Sequence, residues 1–375
     1  MPKQQRPNNQ RPNNPGPSNR RPTTRFTPRP KEQRIDPRVV DRALAEKAAA
    51  EKASAQRAAA ARAGGKSGRS SGAKSKAVAV RPATLGTWIA GARLPTLLLA
   101  ISPVVLGTGL ASMLTDNWWD HWVRASLALV VALGLQIGVN YANDYSDGIR
   151  GVDADRVGPA RLVGSGRAKP RTVLVVALLF FGIASLAGIV LIVLSQQWWL
   201  FAVGALALVA AWFYTGGKRP YGYLALGEVV SFLFFGVAAV AGTMLTQVGQ
   251  VNADGWFGGV ALGCFVAAVM LVNNLRDREK DALHGKRTLA VRLGNVGSRV
   301  LYVILMLVPF AILWLFGQLY DKSFYVYFVA VAAIPAIIVV IFARSAREYV
   351  IPLRLTLLTS LFYGVGLAAA VIFVA

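Results

Sequence analysis

Long apolar stretches recur along most of this chain and leave little room for a soluble fold. A helix that crosses a bilayer needs about 20 mostly apolar residues, because every backbone polar group in lipid must be bonded within the protein. We therefore expect an all-α integral membrane domain over residues 83–375. Its expected spans number about nine: residues 85–110, 125–141, 173–194, 198–213, 224–245, 256–275, 300–316, 324–342 and 353–374.

The charges between these spans alternate from one connection to the next. The even-numbered connections carry 18 Lys and Arg residues, whereas the others carry only Arg124 and Lys322. Because basic loops stay on the cytoplasmic side of a membrane, we expect a cytoplasmic N-terminus and an outer C-terminus. Aromatic residues suited to the membrane interface, such as Trp118 and Trp119, fall in the outer connections. The pattern predicts a multi-pass protein of the plasma membrane.

The first 82 residues have a different composition. They contain 20 basic and 5 acidic residues, and no apolar segment of the kind found in a signal peptide. We expect a disordered, basic cytoplasmic tail over residues 1–82. Phe26 is its only aromatic residue, so attraction to anionic lipid is favoured over nucleic-acid binding. No nucleic-acid partner is expected.

Polar residues cluster at the predicted cytoplasmic end of the second span. Offsets of four and three residues place Asn140, Asp144 and Asp147 on one helix face, with Asn143 beside them. Carboxylates at the edge of a membrane are costly unless they are paired or bind a metal. The cluster therefore indicates a functional site.

The sixth span ends in a second cluster on the same predicted side. Asp277 and Asp281 are separated by one helical turn, and we expect the two clusters to face each other across one site. Glu228 lies inside the fifth span. Two interpretations of this residue are open. It takes part in the site, or it is simply a carboxylate at the start of a helix, where the helix dipole stabilises it.

Two separate carboxylate clusters suit magnesium bound together with a diphosphate. Mg²⁺ takes one or two protein carboxylates and completes its octahedron with water and phosphate oxygens. Basic residues follow each cluster and could complete a diphosphate site: Arg150, Arg156, Arg161, Arg167, Lys218, Arg219, Lys286, Arg287 and Arg292. The four aspartates are our predicted metal-binding and catalytic residues.

Four segments carry a resemblance to a known family. They are ARLPT from Ala92, NYANDYSDGIRGVDADRVGPARLVGSG from Asn140, YTGGKRPYGYLALGE from Tyr214, and NNLRDREKDALHGKRTLAVRLG from Asn273. With this pair of N-D-x-x-D and D-x-x-x-D motifs, the chain resembles the UbiA superfamily of intramembrane prenyltransferases. The resemblance covers essentially residues 85–375. The first motif's extension and the YTGG loop are most similar to the naphthoate branch.

The resemblance implies a nine-helix bundle around a central cavity that opens sideways to lipid. Residues of the Asp motifs match the superfamily's metal–diphosphate positions: Asn143, Asp144, Asp147, Asp277 and Asp281. Five further residues match positions of the superfamily that line the cytoplasmic cap of the same site: Asp153, Arg156, Arg161, Lys286 and Arg287. Our candidate substrate-binding residues are Asn140, Asn143, Asp153, Arg156, Arg161, Lys218, Asn274, Lys286 and Arg287. The basic tail is not part of the family pattern.

The reaction implied by the resemblance is Mg²⁺-dependent transfer of a polyprenyl chain from polyprenyl diphosphate to 1,4-dihydroxy-2-naphthoate. Loss of CO₂ would then give demethylmenaquinone. Another aromatic acceptor, such as 4-hydroxybenzoate, remains an alternative. Two other classes also remain open. One is a CDP-alcohol phosphotransferase, because residues Asp144 to Gly148 resemble the D-x-x-D-G start of that family's motif. The other is a cation-coupled transporter.

Overall fold

The computed structural model describes residues 82–115, 121–151, 161–218 and 220–373, and residues 1–81 of the predicted tail lie outside them. These residues form helices and turns, with no strand among them. Eleven α-helices follow in chain order: α1 Leu85–Gly91, α2 Leu94–Ser112, α3 Trp122–Ile149, α4 Pro170–Ser195, α5 Leu200–Phe213, α6 Gly227–Ser231, α7 Ala239–Val248, α8 Ala253–Leu283, α9 Leu289–Leu319, α10 Ala330–Phe342 and α11 Val350–Ile372. The prediction of an all-α membrane domain is confirmed.

Short helical segments of other types join some of these α-helices. A π-helical segment, Phe232–Ala238, joins α6 to α7, so that Gly227–Val248 forms one span. Three 3₁₀ helices precede α6, α10 and α11: Tyr221–Tyr223, Asp321–Val329 and Ala346–Tyr349. In the described residues, eight helical segments are long and apolar enough to cross a membrane.

The helix α5 accounts for the difference from the predicted count of nine. It is apolar but has only 14 residues, which extend about 21 Å, less than the roughly 30 Å of a bilayer's hydrocarbon core. The sequence in this region already offered a shorter apolar run than its neighbours, at residues 198–213.

The helix α8 lies at the centre of the bundle, with 78% of its most apolar 18 residues buried. Its Phe265 and Leu271 are fully buried and share one core with Tyr302 and Tyr363. The two phenols are satisfied, because Tyr363 donates to the Pro309 carbonyl at 2.8 Å and Tyr302 bonds the Thr356 hydroxyl at 2.7 Å. The core therefore tolerates these polar groups.

The outward faces of the helices are apolar as well. Leu186, Val209 and Ile338 are 67%, 53% and 49% exposed, which suits lipid rather than water as the surrounding solvent. Close packing inside the bundle depends on small residues. A Cβ atom at Gly236 would lie 2.2 Å from the Cα atom of Gly263, so the π-helical segment and α8 cross almost backbone to backbone.

Candidate active site

The two predicted Asp clusters come together at one end of the bundle, which we call the polar end. The Lys286 Nζ atom lies 3.7 Å from Asp147 Oδ1, at the end of α3, and 3.9 Å from Asp281 Oδ1, at the end of α8. Asp147, Asp277, Asp281 and Lys286 line one cavity of about 90 Å³. We call this space the polar cavity.

Asp147 is the centre of this arrangement. Its Oδ1 accepts a hydrogen bond from the Tyr223 hydroxyl at 2.7 Å, and its Oδ2 lies 3.2 Å from Arg161 Nη1. Burial, followed by the Asp147 charge, raises the pKa of the Tyr223 phenol well above its usual value. Tyr223 therefore stays protonated and donates this bond at neutral pH. Its ring also lies 4.4 Å from the Lys286 ammonium, within cation–π range.

Asp144 has a different environment. Its two carboxylate oxygens accept hydrogen bonds from the backbone amides of Leu162 and Val163, at 2.9 and 3.0 Å. Asn143 beside it accepts a 2.6 Å hydrogen bond from the Thr215 hydroxyl. Thus Asp144 holds the connection between α3 and α4 against the end of α3, and Asn143 holds the segment after α5 there. Asp144 borders a second, larger cavity instead of the polar cavity.

The end of α8 provides further polar contacts. Arg276 donates two hydrogen bonds to Asp277, at 2.9 and 2.7 Å. The Asn274 amide donates to the buried Glu228 carboxylate at 2.8 Å. Asn274 lines the polar cavity, but Glu228 lines neither cavity. Glu228 therefore orients a residue of the site without bordering it.

The larger cavity, about 990 Å³ in volume, extends into the bundle, and we call it the apolar cavity. Side chains such as Leu135, Phe235 and Val269 form its walls. Among the described residues, five border both cavities, so that the two adjoin: Arg93, Asn143, Arg161, Tyr214 and Asn273. A ligand with an anionic head and a long apolar tail would match this pair of cavities.

A break between α1 and α2 places one of these shared residues. Arg93 adopts a left-handed backbone conformation with φ 55°, which is uncommon for a residue with a side chain. Asn140 stabilises the break because its amide donates to the Ala92 carbonyl at 2.9 Å and to the Thr96 hydroxyl at 3.1 Å. The predicted residue Asn140 thus borders the apolar cavity while bonding the break.

Most of the predicted site residues within the described ranges border one of the two cavities: Asn140, Asn143, Asp144, Asp147, Arg161, Asn274, Asp277, Asp281 and Lys286. Lys218 and Arg287 are exposed and border neither. Arg287 instead contributes its backbone amide, which donates to the Tyr223 carbonyl at 2.9 Å. Asp153 and Arg156 lie outside the described residues.

The predicted site residues did not include Arg93, Tyr223 or Arg276. Each lies in or next to a motif segment, but an Arg or Tyr at a membrane edge is ordinary. The available signal was position alone, since Arg93 falls in the ARLPT segment and Tyr223 follows the YTGG loop.

The donor set fits a magnesium ion that is shared with a phosphate ligand. Within the described ranges, no three His, Cys, Asp or Glu side chains are grouped closely enough to hold a metal by themselves. Mg²⁺ typically takes only one or two carboxylates and uses phosphate oxygens and water for the remainder. Asp147, Asp277 and Asp281 line one small cavity and would supply such ligands, and Lys286 and Arg161 at the same cavity would add charge for the phosphate.

Solved structures place the fold in a class. A UbiA homologue from Aeropyrum pernix K1 matches with a TM-score of 0.56 and 16% identity, covering 72% of this chain and 96% of that one. A UbiA homologue from Archaeoglobus fulgidus bound to GPP and Mg²⁺ matches with a TM-score of 0.54 and 14% identity, covering 76% and 99%. The fold is therefore that of the UbiA-type membrane proteins.

The sequence defines the family. The model of the UbiA prenyltransferase family matches residues 100–352, and the chain belongs to this family. It is 46% identical over 292 residues to a 1,4-dihydroxy-2-naphthoate octaprenyltransferase of Mycobacterium tuberculosis, covering 78% of this chain and 98% of the relative. A Mycobacterium leprae protein of the same name is 50% identical over 225 residues, covering 60% and 75%. The chain is a prenyl-transferring membrane enzyme, and the family decides against the phosphotransferase and transporter alternatives.

Proposed function

We propose that this enzyme transfers a polyprenyl chain from polyprenyl diphosphate to 1,4-dihydroxy-2-naphthoate, with Mg²⁺ as cofactor. The observation that carries the proposal is the junction of the two cavities, where Arg93, Arg161 and Asn143 border both. An allylic diphosphate has its charge and its hydrocarbon at opposite ends of one C–O bond. The junction would therefore hold the bond that breaks.

The basic side chains stabilise the leaving group in this mechanism. Negative charge grows on the diphosphate as the allylic C–O bond breaks, and fixed cations that meet that charge lower the barrier. Arg161 and Lys286 already lie at the polar cavity, with Asp147 as a counter-ion that orients both. Bound Mg²⁺ would add further positive charge at Asp147, Asp277 and Asp281.

The apolar cavity protects the electron-poor prenyl carbon from water. Walls such as Leu135, Phe235 and Val269 offer no nucleophile. The naphthoate ring then forms the new carbon–carbon bond with the prenyl chain. The ring's carboxylate leaves as CO₂, and its bonding electrons return to the ring, giving demethylmenaquinol, the hydroquinone form of demethylmenaquinone. The choice of naphthoate rests on the names of the relatives.

The polar end faces the cytoplasm in this proposal. The basic connections that adjoin the two Asp clusters carry most of the loop charge, and positive loops stay inside. Both small products of the reaction, diphosphate and CO₂, would then be released at the cytoplasmic side. An N-terminus on the same side follows from the order of the spans.

Prenyl transfer by the purified protein in liposomes tests the proposal. The reaction contains a polyprenyl diphosphate, Mg²⁺ and either 1,4-dihydroxy-2-naphthoate or 4-hydroxybenzoate, with EDTA as the metal-free control. We expect product and CO₂ from the naphthoate only, and none with EDTA. Product from the benzoate alone would move the enzyme to another pathway. Activity that survives EDTA would refute the role of the metal.

A further inference from the structure

Thr288 borders the polar cavity but belongs to neither Asp motif. It immediately precedes α9 and is 4% exposed. Its hydroxyl oxygen is buried and has no hydrogen-bond partner within the described part of the chain. Lys286 and Asp281 border the same cavity. A buried, unbonded hydroxyl is thus presented to a space lined by charged residues.

The position of Thr288 makes this hydroxyl unusual. A Thr in front of a helix normally accepts a hydrogen bond from an amide of the first turn. The Thr288 side chain makes no such bond, although its backbone carbonyl does accept from the Arg292 amide at 3.0 Å. A buried polar group without a partner loses free energy relative to its hydrated state. Helix capping therefore does not account for the orientation of this hydroxyl.

We propose that the Thr288 hydroxyl donates a hydrogen bond to a diphosphate oxygen of the prenyl donor, an inference that rests on the proposed function. A phosphate oxygen in the polar cavity would give the hydroxyl the partner that it lacks. The same anion would attract the neighbouring Lys286 ammonium. Thr288 is then a binding residue for the leaving group.

Inorganic pyrophosphate isolates this contact from the rest of the reaction. We would measure the unfolding temperature of the full-length protein in detergent, at fixed Mg²⁺, while pyrophosphate is titrated. The shift in unfolding temperature reports ligand affinity. Thr288→Val removes the hydroxyl at nearly constant shape, and Thr288→Ser retains it. Thr359→Val serves as the matched control, because its buried hydroxyl bonds only within α11, to the Leu355 carbonyl.

We expect Thr288→Val to weaken pyrophosphate binding by about tenfold or more, as for a hydrogen bond to a charged group. Thr288→Ser and Thr359→Val should bind pyrophosphate within about twofold of the wild type. Without ligand, Thr288→Val should unfold no lower than the wild type, since the hydroxyl it loses was unbonded.

Three results would overturn the inference. Full pyrophosphate affinity in Thr288→Val would refute the role of Thr288 alone. A drop in ligand-free stability that matches the loss of binding would make the hydroxyl a part of the fold. If the wild type showed no effect of pyrophosphate at any Mg²⁺ concentration, the diphosphate site itself would be refuted, and the proposed function with it.

Discussion

Replacing Asp147 should cost stability as well as activity, because one carboxylate serves as counter-ion to two buried cations. The side chains of Asp147, Arg161 and Lys286 are 6%, 8% and 11% exposed. Removing one member of a buried ion pair costs about 3–5 kcal/mol, since the remaining charge is left without compensation. We therefore expect Asp147→Asn to lower the free energy of unfolding by about this amount.

Asp281→Asn provides the matched comparison. It removes a carboxylate of similar burial, but Lys286 would keep Asp147 at 3.7 Å. We expect a smaller loss than in Asp147→Asn, because Lys286 keeps a counter-ion in this variant. Prenyl transfer should fall at least about 100-fold in both variants, because each loses a charge that the proposed site requires.

Unfolding in detergent mixed with SDS, followed by the activity assay, separates the two effects. Asp147→Asn should also be partly rescued by Lys286→Met, since this change removes one of the two cations that lose Asp147 as a counter-ion. The rescue would appear in stability and not in activity. Equal stability of Asp147→Asn and Asp281→Asn would refute the reasoning that Asp147 is the shared counter-ion.

Three further predictions concern residues outside the Asp motifs. Arg124→Gln should lower stability by about 1.5–3 kcal/mol with activity retained, because Arg124 donates to carbonyls at the ends of two other spans; SDS unfolding measures this. Glu228→Leu should leave the Asn274 amide unbonded and cost about 1–3 kcal/mol, whereas Glu228→Gln, which keeps an acceptor, should lose less in the same measurement. Gly242→Phe should fill open space in the apolar cavity and favour short prenyl diphosphates over long ones in a competition assay; Gly182→Phe, outside that cavity with equally open surroundings, should leave the preference unchanged.

Regular helices explain which parts of the site could be predicted. Helical spacing placed Asp277 and Asp281 on one face of a span, and the apolar pattern indicated where that span ends. The meeting of the two clusters at one polar cavity agrees with that expectation. The metal-binding role of the aspartates stays a prediction.

Connecting segments explain most of what could not be predicted. Asp144 bonds the amides of Leu162 and Val163 because a segment 18 residues further on folds back against α3. Spacing within one helix contains no information about such a contact. The same applies to the basic residues, since Arg161 is directed inward and Arg287 outward, although both satisfy the rule for positive loops.

The close contact of Gly236 and Gly263 has a consequence for distant parts of the bundle. A methyl group at Gly236 would have to separate two backbones, because its carbon would lie 2.2 Å from a Cα atom. The two helices that meet there also carry Glu228 and Asn274, roughly 12 and 16 Å away along their axes. Any widening at the glycines would therefore change the angle between the helices and move the bonded pair apart. The absence of side chains at Gly236 and Gly263, in the middle of their spans, thus sets the alignment of Glu228 and Asn274 at the polar end.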